Sequence, residues 1–264
     1  MDTVPHSSYD RSYFEPLFAI EDRHFWFRAR NRVIATVVSQ IIANLVPGYR
    51  VLEVGCGTGN VLRILEKGCK NGVVIGMDLF AEGLQYARRR TTCPLVQGDI
   101  QAPPFSTQFD MIGLFDVLEH LPDDMRVLHD LRTMLADEAV LLLTVPAHPS
   151  LWSYFDEASH HCRRYNLVDL EAKLNSTGYQ VEYLTQYMAS IFPLFWFWRR
   201  RKSPGNRRLV VSANAARDLV SVELRITPVV NDLLAFLLAQ EARVIVRRRR
   251  LPIGTSLLAI ARKK

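Results

Sequence analysis

Cysteine pairs, a secretion signal and long apolar runs are all missing from this chain of 264 residues. Its four cysteines, Cys56, Cys69, Cys93 and Cys162, include no CxxC pair, which argues against both a cysteine-based zinc site and a disulfide framework. The polar N-terminus lacks the charged-then-apolar layout of a secretion signal. No uncharged apolar run reaches the roughly 18 residues needed to cross a bilayer, the nearest candidate being 187–198. We therefore predict a cytoplasmic protein without membrane-spanning segments.

Positive charge is concentrated in the last quarter of the chain. The net charge is +6, but residues 199–264 alone hold 16 Lys and Arg against 4 Asp and Glu. Clusters at 199–202, 207–208 and 247–250 suit phosphates of lipid headgroups or of nucleic acids. The aromatic residues of 192–198 form one apolar block instead of alternating with basic residues, so we favour peripheral contact with an anionic membrane over nucleic acid. A solvated basic face remains the alternative.

The order of apolar runs predicts an α/β fold in one principal domain. Short apolar runs alternate with helix-like stretches between residues 51 and 145, as in a parallel sheet covered by helices on both faces. We predict strands at 50–54, 73–77, 94–97, 109–115, 139–145, 179–185 and 256–261, and helices at 25–46, 60–66, 81–90, 116–135, 166–176 and 228–246. This divides the domain into an N-terminal helical cap (1–47), a cofactor-binding core (48–146) and an acceptor-side region with a helical, basic insertion and the final strands (147–264).

A glycine-rich turn follows the first predicted strand. In VLEVGCGTGN (51–60), Gly55, Gly57 and Gly59 allow a sharp turn and a close approach of the backbone to a ligand. A dinucleotide-binding fingerprint would read GxGxxG, but residue 60 is Asn. An NAD-linked oxidoreductase is therefore the weaker alternative.

Carboxylates follow the next two strands. Because ligands bind outside the carboxyl ends of strands in such sheets, Glu53, Asp78 and Asp99 are expected to border one crevice. Asp78 can accept hydrogen bonds from ribose hydroxyls, and Asp99 can accept one from an adenine amino group. An acidic rim repels a diphosphate and suits a nucleoside that carries a positive charge.

The strings VLEVGCGTGN, GMDL, QGDI and FDMIGLFDVLEHL occur in the order and spacing typical of class I S-adenosylmethionine-dependent methyltransferases, which residues 50–146 resemble. The resemblance implies a doubly wound, mostly parallel, seven-stranded Rossmann-like sheet and S-adenosyl-L-methionine as cofactor. A non-catalytic protein that binds the same cofactor remains an alternative. The residues that the resemblance assigns to cofactor binding are Glu53, Gly55, Cys56, Gly57, Gly59, Asp78, Leu79, Asp99, Ile100, Phe115 and Asp116.

A second resemblance covers the acceptor side. The stretch after residue 146 is similar to a methyltransferase subgroup with an LWS..D....H.RRY pattern, although His160 stands where glycine is usual. The resemblance implies that this loop builds the acceptor pocket, with His161 or His148 as general base. We expect a small-molecule or lipid-linked acceptor, because the aromatic block 192–198 and the basic clusters suit an amphiphilic molecule. The residues implied in acceptor binding are Trp152, Asp156, Arg163, Arg164 and Tyr165. The alternative is structural: Asp156 pairs with an arginine to fix the loop, and Tyr165 packs beneath it.

Two further features leave alternatives open. His120 is a third candidate base, in DVLEHL, where a helix would place it on one face with Asp116 and close to Glu119. Some quinone-pathway methyltransferases of this class hold a divalent cation with such a cluster, but we favour helix packing or capping and predict no metal. The string HFWFRARNRVI (24–34) resembles the subgroup's entry helix, which either closes over the cofactor or covers the sheet.

Overall fold

We describe the computed structural model over residues 9–202 and 226–264, and over the backbone alone for 198–202. Within these residues, the strands form a single sheet in the order β3-β2-β1-β4-β5-β7-β6. Strand β7 is antiparallel to both of its neighbours, and the other pairs are parallel. The prediction of a doubly wound, mostly parallel, seven-stranded sheet is confirmed. The strands are β1 (Arg50–Val54), β2 (Val73–Asp78), β3 (Leu95–Gln97), β4 (Phe109–Phe115), β5 (Leu135–Pro146), β6 (Tyr179–Tyr187) and β7 (Ser256–Lys263).

Helices cover both faces of the sheet and create two apolar cores. On one face, Val33, Val37 and Leu62 pack with Leu238 over the sheet. On the other face, the packed residues include Leu131 and Leu170. The helices are α1 (Phe14–Ile20), α2 (Phe25–Ile42), α3 (Leu62–Gly68), α4 (Ala81–Ala87), α5 (Asp124–Met134), α6 (Tyr154–Ala158), α7 (Leu167–Ser176), α8 (Phe192–Lys202) and α9 (Pro228–Val246).

The single helix predicted over 116–135 is wrong. Asp116 has a positive φ of 55°, and only a short 3-10 turn, Leu118–His120, follows it. Helix α5 begins after Pro122, at Asp124, where the side chain of Asp123 accepts a hydrogen bond from the N–H of Arg126. Asp116 and His120 therefore do not share a helical face.

The sheet order determines where a ligand can bind. Strands β1 and β4 are neighbours, and the chain continues from them toward opposite edges of the sheet. This is the switch point of a doubly wound sheet, and ligands bind in the crevice at the carboxyl ends of the strands there. The loops that follow β1, β2 and β4 therefore determine the site.

None of the helices described here is long and apolar enough to span a membrane. The basic pair Arg207 and Arg208 lies outside the described residues, and the side chains of 199–202 are not described either. Arg247–Arg250 follow α9 and are exposed. The division of the domain at residues 47 and 146 stays a prediction.

Candidate active site

The turn after β1 requires glycine at two positions. Gly55 has a φ of 71°, and a Cβ there would lie 2.5 Å from a methyl group of Val117. Gly59 has a φ of 76°, and its Cβ would lie 2.9 Å from the Cα of Ala87 in α4. Both the backbone conformation and the lack of space therefore exclude larger residues without a shift of the chain.

Asp78, the last residue of β2, holds this turn in place. Its Oδ2 accepts a hydrogen bond from the N–H of Gly57 at 2.7 Å, and its Oδ1 accepts one from the N–H of Phe80 at 2.9 Å. Burial raises the pKa of the Asp78 carboxyl, although these N–H donors act in the opposite direction. The carboxylate is thus fixed at the carboxyl edge of the sheet.

A cavity of about 650 Å³ opens at this edge. Its volume lies within the range typical of sites for small ligands. The predicted cofactor residues that line it are Glu53, Gly55, Cys56, Gly57, Asp78, Leu79, Asp99, Ile100, Phe115 and Asp116. Gly59 does not line the cavity, because it faces Ala87.

Acidic groups dominate the polar lining near the glycine turn. Glu53 is 3% exposed, and its Oε2 has no hydrogen-bond partner among the described residues. Burial raises the pKa of Glu53 well above its ordinary value, although Arg30 lowers it in part. Arg30 also lines the cavity and forms an ion pair with Asp116, with 2.9 Å between Nη1 and Oδ2. A buried carboxyl oxygen without a donor favours a cationic group in the cavity.

An Asp–His–Arg arrangement adjoins the cavity. The fully buried Asp156 lies behind the wall, and its Oδ1 is 2.9 Å from Nδ1 of His161 and 2.6 Å from Nε of Arg164. Burial alone would raise the pKa of Asp156, but these two partners lower it to about 2. Asp156 therefore orients two side chains, His161 and Arg164, that line the cavity.

Glu119 and His120 approach this arrangement from the turn after β4. The N–H of Cys162 donates to the carbonyl of Glu119 at 2.7 Å, which ties the two loops together. The rings of His120 and His161 meet edge to face with 4.7 Å between their centroids. Glu119 is 1% exposed, and its pKa is raised well above the ordinary value by burial and by the nearby Asp116.

Comparison with known proteins identifies the family. A model described as a methyltransferase domain matches residues 25–184, which is more than half of the chain. The chain belongs to this methyltransferase family. Its sheet has the fold of the class I S-adenosylmethionine-dependent methyltransferases among the solved structures, and the family match favours a methyltransferase over the alternative of an NAD-linked oxidoreductase.

Individual relatives are distant. An uncharacterized protein of Methanocaldococcus jannaschii, MJ1252, is 28% identical over 51% of this chain and 51% of its own length. A protein of Mycolicibacterium smegmatis, whose name describes an S-adenosylmethionine-dependent methyltransferase, is 26% identical over 62% of each chain. The chain thus spans less than two thirds of the length of each of these curated relatives. The crystal structure of the plantazolicin methyltransferase BamL, with SAH bound, has a TM-score of 0.59 at 16% identity and covers 96% of this chain and 90% of that one.

Several predicted acceptor residues of the methyltransferase lie away from the cavity. Arg163 donates to the carbonyls of Leu121 and Pro122, at 2.8 and 2.6 Å. Its neighbour Tyr165 is buried and donates to Oδ2 of Asp124 at 2.9 Å. Both side chains are used in fixing the loop, which matches the structural alternative.

Two other predicted residues of the methyltransferase also lie outside the cavity. Trp152 is exposed, and its indole is 3.4 Å from a carboxylate oxygen of Glu157. His148 lines a separate cleft, where its Nε2 is 2.6 Å from Oε1 of Gln186. His160 has a φ of 55°, a conformation that glycine adopts without strain, which explains why glycine suits this position.

Sequence reasoning did not assign two walls of the cavity. The N-terminal region contributes Tyr9, Phe14, Trp26 and the ion-paired Arg30. The start of α2 therefore lines the cavity, while its later residues, such as Val33, cover the sheet. Closure of this segment over the cofactor stays a prediction. The aromatic residues within 24–30 were the sequence feature that could have indicated this wall. The second wall consists of Ile191, Leu194, Phe195 and Leu234, from the start of α8 and from α9.

Proposed function

We propose that Glu53, the glycine turn, Asp78 and Asp99 hold S-adenosylmethionine in this cavity. The oxygen of Glu53 that lacks a donor suits the ammonium group of the cofactor, and Asp78, which lines the cavity, can accept hydrogen bonds from ribose hydroxyls. The acidic lining suits a ligand that carries a sulfonium cation. When bound, the cofactor supplies an electrophilic methyl group.

We further propose that the acceptor is an amphiphilic, lipid-linked molecule that the enzyme takes from an anionic membrane surface. The observation that carries this proposal is the position of Leu194. It lines the cavity and is also 62% exposed, so it joins the interior of the site to the outer surface of α8. With Ile191, Phe195 and Leu234 beside it, the cavity has an apolar side suited to a hydrocarbon chain.

The outer surfaces of α8 and α9 support a membrane contact. Large exposed apolar side chains recur on one stripe of α9, at Val229, Val230, Leu233, Phe236 and Leu237. Phe197 on α8 is exposed as well. Such stripes on a soluble surface commonly mark interaction sites, and the exposed Arg247–Arg250 after α9 add the positive charge that attracts anionic headgroups.

Methyl transfer needs the acceptor atom in line with the sulfonium leaving group, so the contribution of the protein is mainly positioning and exclusion of water. The aromatic residues of the N-terminal wall serve the second task. We assign the handling of the acceptor atom to His120 and His161, with Arg164, because these side chains line the cavity and are not among the proposed cofactor residues. His148, Trp152, Arg163 and Tyr165 are left out of this proposed set because they lie elsewhere.

The acceptor class is tested by label transfer. The purified enzyme is incubated with methyl-labelled S-adenosylmethionine and with separated lipid, RNA and water-soluble fractions of a cell extract. We expect label in the lipid fraction. Label confined to RNA or to water-soluble molecules would contradict the lipid-linked acceptor.

The membrane contact is tested by flotation with phosphatidylglycerol vesicles and with phosphatidylcholine vesicles. We expect the enzyme to float with the anionic vesicles, and Leu233→Asp and Phe236→Asp to reduce the bound fraction severalfold. Val168→Asp is the matched control, because Val168 is 77% exposed but lies on α7, outside the proposed surface. Equal effects of all three substitutions, or no binding by the parent enzyme, would rule this surface out.

A further inference from the structure

Three potential metal ligands meet beside the cavity. Glu119 and His120 lie on the 3-10 turn after β4, whereas His161 lies in the loop after α6. One ligand atom from each residue can be chosen so that all three lie within 4.8 Å of one another. All three residues line the cavity. They therefore face the space in which an acceptor would bind.

We propose that Glu119, His120 and His161 bind one divalent transition-metal ion of the Zn²⁺ type. Two imidazoles and a carboxylate are ligands that zinc prefers, whereas magnesium and calcium favour sites made of oxygen ligands. A tetrahedral ion with bonds of about 2.0–2.2 Å separates its ligand atoms by about 3.4 Å. Small side-chain rotations suffice to reach that spacing from 4.8 Å or less.

The burial of Glu119 points independently to a cation. Its side chain is 1% exposed, and its Oε2 has no hydrogen-bond partner among the described residues, although it lies on the cavity wall. A buried carboxyl oxygen without a partner carries a large desolvation cost. A bound metal ion would offset that cost directly.

His161 is oriented as metal-ligating histidines commonly are. Its Nδ1 lies 2.9 Å from Oδ1 of Asp156, so Nε2 is the nitrogen left for a metal. A carboxylate behind a histidine fixes the ring and its tautomer in many zinc sites. Arg164 holds the same Asp156 oxygen at 2.6 Å and so keeps the carboxylate in place.

Three protein ligands leave one coordination position free, as in catalytic zinc sites. Because all three residues border the cavity, that position would face the acceptor. The metal site does not depend on the acceptor being lipid-linked. It departs from our sequence-based prediction of no metal, and it assigns His120 and His161 a role as metal ligands beside the acceptor atom in place of a general base.

The test measures metal binding directly, without any methyl acceptor. The full chain is stripped with a chelator, dialysed against Zn²⁺ and analysed for bound metal, and Co²⁺ is titrated in parallel to record its visible absorption. We expect one equivalent of metal and a tetrahedral Co²⁺ spectrum. Glu119→Gln and His161→Gln are each expected to weaken binding at least tenfold, and Asp156→Asn by 10- to 100-fold.

His160→Gln is the matched control. His160 is the exposed neighbour of His161 and lies outside the cluster, so this variant is expected to bind metal like the parent chain. Circular dichroism and binding of S-adenosylhomocysteine show for each variant that the fold and the cofactor site persist, which separates this test from the proposed function. Absence of bound metal in the parent chain, or equal loss in His160→Gln, would overturn the proposal.

Discussion

Asp78 combines two tasks at one carboxylate. Its oxygens hold Gly57 and Phe80 through their N–H groups, and they line the cofactor cavity. We expect Asp78→Asn to raise the Kd for S-adenosylhomocysteine by about 5- to 150-fold, since loss of a hydrogen bond with a charged partner costs about 1–3 kcal/mol. Isothermal titration calorimetry measures this change. Asp137→Asn, at a side chain that is 97% exposed, is the control and is expected to leave the Kd unchanged.

The pH dependence of cofactor binding follows from the same residue. Burial raises the pKa of Asp78, so the carboxylate becomes protonated at a higher pH than the ordinary value of about 3.9. Affinity is expected to fall as the pH drops through that raised pKa, because the protonated group accepts fewer hydrogen bonds. The Asp78→Asn variant should show a flatter profile. Parallel profiles for the two proteins would argue against Asp78 as a cofactor ligand.

Asp156 is expected to contribute to stability in a defined pH window. Its pKa is lowered to about 2 in the folded chain, against about 3.9 when unfolded, so its stabilisation is complete above about pH 4 and is lost as the pH falls toward 2. We expect Asp156→Asn to lower the free energy of unfolding by about 3 kcal/mol at pH 7. Urea titrations should show that the difference in free energy of unfolding between the parent chain and Asp156→Asn narrows below pH 4. The exposed neighbour Glu157 provides the control, Glu157→Gln, which should follow the parent chain at every pH.

The position of the cofactor residues could be predicted from the sequence, whereas the position of the histidines could not. Asp78 and Asp99 lie at or after the carboxyl ends of neighbouring parallel strands. Because the sheet brings these strand ends together, the sequence alone could predict that the two carboxylates border one site. The approach of His161 to Glu119 depends on a loop contact, the hydrogen bond from Cys162 to the carbonyl of Glu119. No local periodicity encodes such a contact.

At the level of elements, α9 and α2 are joined by a buried amide. Oδ1 of Asn231 accepts from the N–H of Phe25 at 2.7 Å, and its Nδ2 donates to the carbonyl of Arg23 at 2.9 Å. Asn231→Ala is expected to destabilise the fold by about 1–3 kcal/mol, because it leaves two partly buried backbone groups without these partners. Asp232→Asn is the control, since the exposed pair of Asp232 with Arg28 contributes about 1 kcal/mol or less. Similar unfolding midpoints for the two variants would contradict this role.

The predicted helix boundaries were wrong after β4, where the backbone conformation of Asp116 and the missing N–H of Pro122 outweigh the apolar spacing. The apolar residues after β4 continue at helical intervals, which predicted one helix over 116–135. Asp116 instead adopts a positive φ, and Pro122 has no N–H to donate within a helix. By contrast, α9 coincides with the predicted 228–246, because Pro228 at its first turn is compatible with helix and the apolar pattern runs without a break.

At the level of the whole molecule, the sheet was predicted from the order of its strands, but the wall that the N-terminal segment forms was not. That wall depends on contacts between distant parts of the chain: Glu21 pairs with Arg90 and accepts from Thr58, and Arg30 pairs with Asp116. These contacts attach the segment to the cofactor-binding core. A ligand in the cavity would therefore touch both.

This coupling predicts how the molecule responds to its cofactor. Because Phe14 and Trp26 line the same cavity as the glycine turn, S-adenosylhomocysteine is expected to slow amide hydrogen exchange in α1 and the start of α2 as well as in residues 55–60. Helices α5 and α7 serve as an internal reference, since they pack on the sheet through the second core. Protection confined to the glycine turn, with none in α1 or α2, would mean that the N-terminal segment does not close over the bound cofactor.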